Sequence, residues 1–222
     1  MIVSMWMTRD VVTIRSDAPV AEAAALMARS HIRRLIVVDR KRETERIVGI
    51  ISATDILHAF PADVNPFAVE APDLRQAPLT VREMMKGGIQ ATAPDTPIEE
   101  AAAVMRENKI GALPVLRKGQ LAGIITESDI FRAFVSLFSI EGRGARITFD
   151  VSQGEDMFGL MAKLAPRHGV RVVSMLAAQQ ESQPVCVVRV VGDKVDSLLD
   201  ELWSSGHPVL NVLRFPIAPQ KQ

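Results

Sequence analysis

The sequence Gly-Ile-Ile-Ser-Ala-Thr-Asp-Ile at residues 49–56 recurs as Gly-Ile-Ile-Thr-Glu-Ser-Asp-Ile at residues 123–130. Each octapeptide follows a short apolar segment and precedes a stretch that is patterned as a helix. Sequence self-similarity at a fixed spacing is the signature of a repeated structural unit. The two octapeptides therefore predict that the chain contains the same fold twice.

The similarity extends well upstream of the octapeptides. Residues 7–39 align without gaps on residues 85–117, and the alignment resumes at 47–60 and 121–134. The first copy differs in length only within 40–46, a charged segment that is typical of a surface turn. Colinear identities with one short insertion at a turn are not expected from chance, so the repeat is a property of the whole segment.

Each copy is predicted to fold as strand, helix, strand, strand, helix. In the first copy, short β-branched segments at 11–14, 35–38 and 47–51 favour strands. Proline is well suited to the first turn of a helix, and Pro19 and its counterpart Pro97 occupy that place. The predicted apolar face of the first helix, at helical spacing, comprises Val20, Ala23, Ala24 and Met27. The closing helices are predicted over 52–60 and from Thr126 to about Ser139.

Composition limits the class of protein. The 222 residues carry 26 basic and 26 acidic side chains, so the net charge is zero, which argues against a nucleic-acid partner. A single cysteine, Cys186, excludes a disulfide framework and a cysteine-rich zinc site. No apolar run reaches the length of about 18–20 residues that spans a bilayer, and the N-terminus lacks the pattern of a secretory signal. We therefore expect a cytoplasmic protein without a membrane partner.

The rest of the chain does not repeat. Prolines without periodicity mark a linker at 63–79. After a break at 141–144, the pattern predicts strand, helix, strand, strand, helix, strand, which is the ferredoxin-like order. The predicted organisation is therefore an α+β chain with a first repeat (1–62), the linker (63–79), a second repeat (80–139) and a C-terminal domain (145–217).

The octapeptides allow two interpretations. A hydroxyl residue followed by an acid three positions later resembles a capping box, which has only the structural role of pairing backbone N–H groups at the start of a helix. Alternatively, Ser52 and Thr126 could contact a phosphate or ribose oxygen, while Asp55 and Asp129 accept hydrogen bonds from a ribose diol. The occurrence of the set twice, each time after a glycine where a backbone can approach closely, favours the functional interpretation.

Residues 5–60 and 83–134 resemble a tandem pair of CBS domains, also called a Bateman module. The resemblance is carried by the two octapeptides, by the Leu113-Pro114-Val115 strand and by the two prolines at the helix starts. It implies two clefts between the repeats that bind AMP, ADP, ATP or another adenosine compound such as NAD or S-adenosylmethionine. The ligand would be regulatory, and no cofactor would be required.

The resemblance implies a role for individual residues. Asp55 and Asp129 would hold ribose hydroxyls, and Ser52 and Thr126 would contact ribose or phosphate. The other implied nucleotide-binding residues are Gly49, Gly123, Thr13, Thr92, Arg34, Gly111, Ala112 and Pro114. The first copy has Arg33-Arg34 where the second has Gly111-Ala112. These arginines could be solvated or could neutralise phosphates, which leaves open whether both sites bind equally.

The C-terminal domain resembles an ACT domain. The resemblance rests on the element order and on Gly154 in the turn after the first strand, which implies an amino-acid ligand near Gly154. The turn 150–154 lacks the proline that amino-acid-binding ACT domains carry, and the alternative is a dimerisation module. The order of the domains resembles that of acetoin utilization proteins, which implies a link to acetoin or related carbon metabolism.

Residues suited to catalysis are not grouped in the sequence. The four histidines are scattered without metal-ligand spacing, and motifs for serine nucleophiles, P-loops and dinucleotides are missing. Together with the CBS resemblance, this predicts a regulatory protein that senses an adenine nucleotide and is not an enzyme. The paired CBS surfaces and the edge of the ACT sheet imply a homodimer. Two alternatives stay open, namely a scaffold or transcriptional CBS protein with unoccupied sites, and an enzyme that turns over a nucleotide.

Overall fold

The computed structural model describes residues 1–41, 44–58, 60, 65–67, 79–138, 143–180 and 183–215. It divides into two compact units, Met1–Arg132 and Ala133–Gln222. Most of the predicted linker at 63–79 and half of the predicted break at 141–144 lie outside the described residues.

The first repeat folds in the predicted order. Its elements are β1 (Thr13–Arg15), α1 (Val20–Ser30), β2 (Arg34–Lys41), β3 (Thr44–Ser52) and α2 (Ala53–His58). Strand β2 is central, pairing parallel with β1 and antiparallel with β3. The predicted apolar face of α1 is confirmed, because all four of its residues are buried in the core of this repeat.

The second repeat follows the same plan except at its first strand. A short helix, α3 (Val81–Met84), precedes it, and its elements are α4 (Ile98–Asn108), β4 (Ala112–Arg117), β5 (Gln120–Thr126) and α5 (Glu127–Phe138). In place of the predicted first strand, the described residues contain a single parallel bridge between Thr92 and Val115. Helices α1 and α4 both end on a residue with positive φ, His31 at 51° and Lys109 at 52°.

The segment in front of each repeat packs against the other repeat. We call residues 1–9 the first strap and residues 79–88 the second strap. In the first strap, the Val3 amide donates to the Thr96 carbonyl of the second repeat at 2.9 Å. In the second strap, the Val81 amide donates to the Ala18 carbonyl of the first repeat, also at 2.9 Å. Each strap therefore links the repeat that follows it in the sequence to the other repeat.

The straps also extend the two sheets at equivalent positions. Thr8 of the first strap exchanges two backbone hydrogen bonds with Ile124, both of 2.9 Å. Lys86 of the second strap exchanges two with Ile50, of 2.9 and 3.2 Å. Because Thr8 aligns with Lys86 and Ile50 with Ile124, the exchange obeys the symmetry of the repeat.

One polar network fastens the second strap to the first repeat. The Arg82 guanidinium donates to both carboxylate oxygens of Asp39, at 2.6 and 2.8 Å, and to the Ser16 hydroxyl at 2.6 Å. The Ser16 hydroxyl in turn donates to Asp39. These hydrogen bonds, that from Ser16 first and those from Arg82 next, hold the pKa of Asp39 below its ordinary value.

We expect this network to make the stability of the protein sensitive to acid. A carboxyl with a lowered folded-state pKa stabilises the fold above its unfolded pKa of about 3.9, and the contribution is lost as pH falls through the folded pKa. The Asp39→Asn variant should therefore lose less stability than wild type between about pH 5 and about pH 2. Urea denaturation across this range measures the difference, and parallel pH profiles for the two proteins would contradict the assignment.

The C-terminal unit has the predicted element order. Its elements are β6 (Gly144–Asp150), α6 (Met157–Arg167), β7 (Arg171–Gln180), β8 (Gln183–Val191), α7 (Val195–Ser204) and β9 (Val209–Phe215). The strands form one antiparallel sheet in the order β7-β8-β6-β9, which is the ferredoxin-like arrangement. The assignment of this unit to ACT domains stays a prediction.

The core of the C-terminal unit lies between the sheet and its two helices. The large buried side chains include Ile147 and Phe149 of β6, Met161 of α6, and Leu198 and Leu199 of α7. Cys186 is buried in the same core, as predicted, and burial raises the pKa of its thiol, which disfavours the nucleophilic thiolate.

Candidate functional site

Two cavities adjoin the octapeptides within the unit Met1–Arg132. The Asp55 cavity has a volume of about 360 Å³ and the Asp129 cavity of about 250 Å³. The Asp55 cavity is lined by Arg33, Arg34, Ile50, Ser52, Ala53, Thr54, Asp55, Lys86, Gly87, Gly88, Ile89, Gln90, Lys109, Ile110, Gly111 and Ala112. The Asp129 cavity is lined by Thr8, Asp10, Val11, Val12, His31, Ile32, Arg33, Arg34, Ile124, Thr126, Ser128 and Asp129. Each cavity therefore combines one octapeptide, residues of both repeats and residues in or next to one strap.

The octapeptide of the first repeat forms a closed cap at the start of α2. The Asp55 Oδ2 atom accepts hydrogen bonds from the Ser52 amide at 2.9 Å and from the Ser52 hydroxyl at 2.5 Å. The Ser52 hydroxyl accepts in return from the Asp55 amide at 3.2 Å. The capping interpretation is therefore correct for this repeat, and it uses only one of the two carboxylate oxygens.

The second octapeptide has the same geometry at the start of α5. The Asp129 Oδ2 atom accepts from the Thr126 amide at 2.9 Å and from the Thr126 hydroxyl at 2.7 Å. The Asp129 amide donates to the Thr126 hydroxyl at 3.3 Å. The cap again leaves the second carboxylate oxygen, Oδ1, for another partner.

In both repeats a basic side chain occupies that second oxygen. The Lys86 ammonium lies 3.4 Å from Asp55 Oδ1, and the Arg132 guanidinium lies 2.9 Å from Asp129 Oδ1. Arg132 also donates to the Trp6 carbonyl at 3.0 Å, and its guanidinium lies 5.9 Å from the centre of the Trp6 ring. Both basic side chains are largely exposed, whereas both carboxylates are largely buried.

The Asp55 carboxyl is poised to accept hydrogen bonds at neutral pH. Burial raises its pKa, but the hydrogen bonds from Ser52 and the positive charge of Lys86 outweigh this effect and lower the pKa overall. An ionised carboxylate only accepts hydrogen bonds. The Oδ1 atom, which lies outside the cap, therefore suits a ligand whose hydroxyl donors would replace Lys86.

Arg34 and Gly111 meet between the two cavities. The Arg34 guanidinium lies 3.7 Å from the Glu127 carboxylate, and a Cβ atom at Gly111 would collide with that guanidinium. Arg34 lines both cavities, whereas Gly111 and its neighbour Ala112 line the Asp55 cavity. The second copy has Gly111 where the first has Arg33, and the lack of a side chain at Gly111 leaves room for the Arg34 guanidinium.

Gly49 and Gly123 have a packing role against the straps. A Cβ atom at Gly49 would lie 2.5 Å from Met85 Sδ, and one at Gly123 would lie 2.8 Å from Met7 Sδ. Neither glycine is among the residues that line the two cavities. The close backbone approach expected at these glycines is present, and the partner is a strap. Contact of these glycines with a ligand stays a prediction.

Three further predicted residues lie outside the two linings. Thr13 pairs with Ile36 in the first sheet, and the Thr92 amide donates to the Pro114 carbonyl at 3.0 Å. Pro114 is buried within β4. The linings instead contain residues shortly before each threonine, so a role for these three in binding stays a prediction.

The sequence interpretation missed the strap residues and the cations. Lys86, Lys109 and Arg132 lie in or beside the cavities but belong to neither octapeptide. The alignment of Thr8 with Lys86 contained a usable signal, because it shows that the repeat begins before the first strand.

The described residues offer neither a cluster of metal ligands nor a membrane-spanning helix. Across the described ranges, histidine, cysteine and acidic side chains do not cluster in groups of three or more that could hold a metal ion. The helices of this same part of the chain are too short or too polar to cross a bilayer.

Comparison with known proteins identifies the repeats. The sequence profile of the CBS domain matches residues 3–62 and again residues 81–136, together just over half of the chain. An uncharacterized protein of Methanocaldococcus jannaschii is 30% identical over 135 residues, which are 60% of this chain and 47% of the relative. The matched region thus spans about half the length of that relative.

Two solved structures resemble the same part of the chain. A CBS domain pair in complex with 5′-methylthioadenosine and S-adenosyl-L-methionine shares 27% identity and a TM-score of 0.50, over 61% of this chain and 97% of that one. A structure assigned to the acetoin utilization protein AcuB of Vibrio cholerae shares 30% identity and a TM-score of 0.49, over 62% and 93% of the two chains. The repeats, their caps and the profile match agree, and this chain belongs to the CBS-domain family.

Proposed function

We propose that this chain is a regulatory protein that binds an adenosine-containing ligand, such as an adenine nucleotide, in the Asp55 and Asp129 cavities. The observation that carries the proposal is that the two oxygens of each carboxylate have different partners. One oxygen closes the cap, and the other pairs with an exposed cation, while the carboxylate itself lies in a cavity wall. A ribose diol supplies the two hydroxyl donors that such an oxygen can accept.

The similar CBS pair supports the choice of adenosine. That protein was solved with 5′-methylthioadenosine and S-adenosyl-L-methionine, two ligands whose common part is adenosine. In this chain, Ile50 and Ile124 give the two cavities an apolar surface beside the carboxylate, which suits an adenine ring. In the Asp55 cavity, the phosphate end of a nucleotide would meet Arg33 and Arg34.

Regulation would follow from the packing of each strap against the repeat that it does not precede. A ligand changes a conformational equilibrium only through different affinities for the two states. Because both repeats and an adjoining strap contribute to each cavity, a bound ligand would hold all three in one arrangement. We propose that this arrangement, and not the turnover of the nucleotide, is the output of the protein.

We propose that the C-terminal unit is an ACT-type module that receives this signal and forms a homodimer. The sheet order β7-β8-β6-β9 supports the fold, and Gly154 has a φ of 82° in the turn after β6, where an amino-acid ligand was predicted. A dimerisation module without ligand is the alternative. The link to acetoin or related carbon metabolism stays a prediction from the order of the domains.

One observation favours a second candidate function. The Asp55 and Asp129 carboxylates are already paired, with Lys86 and with Arg132, so neither acid needs a ligand to balance its charge. A scaffold or transcriptional CBS protein with unoccupied sites would have this property.

Thermal unfolding with and without ligand separates the two candidates. A ligand at a hundredfold excess over its dissociation constant stabilises a protein by about 2.7 kcal/mol. We expect AMP, ADP, ATP, NAD or S-adenosylmethionine to raise the melting temperature, and GMP and GTP to leave it unchanged. Equal shifts with adenine and guanine nucleotides would exclude adenosine recognition, and no shift with any of them would favour the scaffold.

A further inference from the structure

The two cavities differ in charge at equivalent positions. Lys86 and Thr8 occupy the same place in their straps, since each exchanges two backbone hydrogen bonds with an equivalent isoleucine. Lys109 and His31 occupy the same place at the ends of α4 and α1, with φ angles of 52° and 51°. The Asp55 cavity thus has two lysines where the Asp129 cavity has a threonine and a histidine.

A third pair of equivalent positions adds to the difference. Asp10 lines the Asp129 cavity, and its counterpart in the Asp55 cavity is Gly88, which carries no side chain. Arg33 and Arg34 border both cavities and so do not distinguish them. The Asp55 cavity is therefore the more basic of the two, and its volume of about 360 Å³ exceeds the other by about 110 Å³.

We propose that the two cavities select different classes of adenosine ligand. The Asp55 cavity takes ligands with a phosphate chain, and the Asp129 cavity takes adenosine ligands without one. This inference rests on the proposed function, because it assumes that both cavities accept adenosine. Charge-assisted hydrogen bonds from lysine to phosphate would favour the first class in one cavity, and the Asp10 carboxylate would repel that class in the other.

The ion pair of Lys86 is compatible with this exchange. Its ammonium lies 3.4 Å from Asp55 Oδ1, and its side chain is 76% exposed. A ribose hydroxyl that takes over Asp55 Oδ1 would release the lysine, whose flexible stem allows it to follow the phosphates. The cation that pairs with Asp129 is Arg132, which is outside the lining of that cavity and is also held by the Trp6 carbonyl.

Calorimetric titration of single-cavity variants tests the inference. The Asp129→Asn variant reports binding in the Asp55 cavity, and the Asp55→Asn variant reports binding in the Asp129 cavity. Each is titrated with ATP and with adenosine. We expect ATP to bind the Asp55 cavity about tenfold or more tightly than adenosine does, with an advantage that shrinks at high salt. In the Asp129 cavity ATP should have no advantage.

Exchange of the equivalent residues should transfer the preference. Lys86→Thr with Lys109→His should abolish the ATP advantage in the Asp55 cavity, and Thr8→Lys with His31→Lys should create one in the Asp129 cavity. Each new residue already occupies the same backbone position in the other repeat, so the fold should tolerate it. Lys163→Thr, on the exposed surface of α6, is the control for loss of positive charge elsewhere.

The outcomes distinguish this inference from the proposed function. If adenosine binds but phosphates bring no advantage in the Asp55 cavity, or the same advantage in both cavities, the selection by class is wrong and adenosine binding stands. If neither ATP nor adenosine binds either variant or the wild type, the proposed function itself fails and the inference fails with it.

Discussion

Replacing Asp129 by asparagine is expected to weaken adenosine binding in the Asp129 cavity about ten- to a hundredfold, because a hydrogen bond to a charged group contributes about 1.5–3 kcal/mol. The asparagine carbonyl can still accept from the Thr126 amide and hydroxyl, so the cap should survive. Its amide group, however, replaces the ligand-facing acceptor by a donor. Calorimetry should therefore show the loss of one binding event in a protein that remains folded.

The Thr126→Val variant is the matched control for this prediction. It removes the hydroxyl from the cap but keeps the Asp129 carboxylate, so it should lower stability by about 1 kcal/mol. It should weaken binding less than Asp129→Asn does, because the Thr126 hydroxyl could give the ligand only an uncharged hydrogen bond. An Asp129→Asn protein that binds adenosine ligands as tightly as wild type would contradict the assigned role of the carboxylate. The same result would leave the cap as the only function of this octapeptide.

Replacing Gly123 by alanine is expected to destabilise the unit Met1–Arg132 by about 1–3 kcal/mol, the range for forcing extra atoms into a packed site. The added Cβ atom would lie 2.8 Å from both the Thr8 carbonyl oxygen and Met7 Sδ. The carbonyl cannot give way easily, because it accepts the Ile124 amide at 2.9 Å. Thermal unfolding should show a melting temperature that is lower by several degrees.

The same substitution should also weaken binding in the Asp129 cavity, since the first strap contributes Thr8 to its lining. Gly87→Ala provides the control for stability, because a Cβ atom there would meet nothing within 4 Å. An unchanged melting temperature for Gly123→Ala would show that the first strap is not packed against β5 in solution.

Much of the fold could be predicted because it is specified locally and twice. The apolar spacing of Val20, Ala23 and Met27 identifies the inner face of α1, and the same pattern recurs in α4. A proline precedes both helices, and both octapeptides close a helical cap. In the C-terminal unit, apolar segments identified four strands and apolar residues at helical spacing identified two helices, in the correct order.

The straps could not be predicted by the same means. The first strap is held by residues more than 90 positions away in the sequence, as the hydrogen bond from Val3 to Thr96 shows. Hydrophobic periodicity reports local structure and which face is buried, but it does not identify a distant partner. The first strand predicted for the second repeat is replaced by a single bridge at Thr92. The local pattern likewise does not show how far a segment pairs with a distant strand.

The candidate site was predictable where a motif carries it. The acid and hydroxyl of each octapeptide lie at a cavity wall, together with Arg34, Gly111 and Ala112. The basic residues that distinguish the Asp55 cavity, Lys86 and Lys109, come from a strap and a helix end, and they have no basic counterpart of the same type in the other copy. Lys86 aligns with Thr8, for example, so comparison of the repeats masks the lysine unless the structure first shows that both positions face a cavity.

Calorimetric titration of the full-length protein with AMP, ADP, ATP, NAD and S-adenosylmethionine tests the central claim most directly. The Asp55→Asn, Asp129→Asn double variant is titrated in parallel. We predict saturable binding of at least one of these ligands to wild type, and its loss in the double variant with the melting temperature retained. Binding of equal strength to both proteins, or none by any ligand to wild type, would contradict the claim that the capped carboxylates bind adenosine.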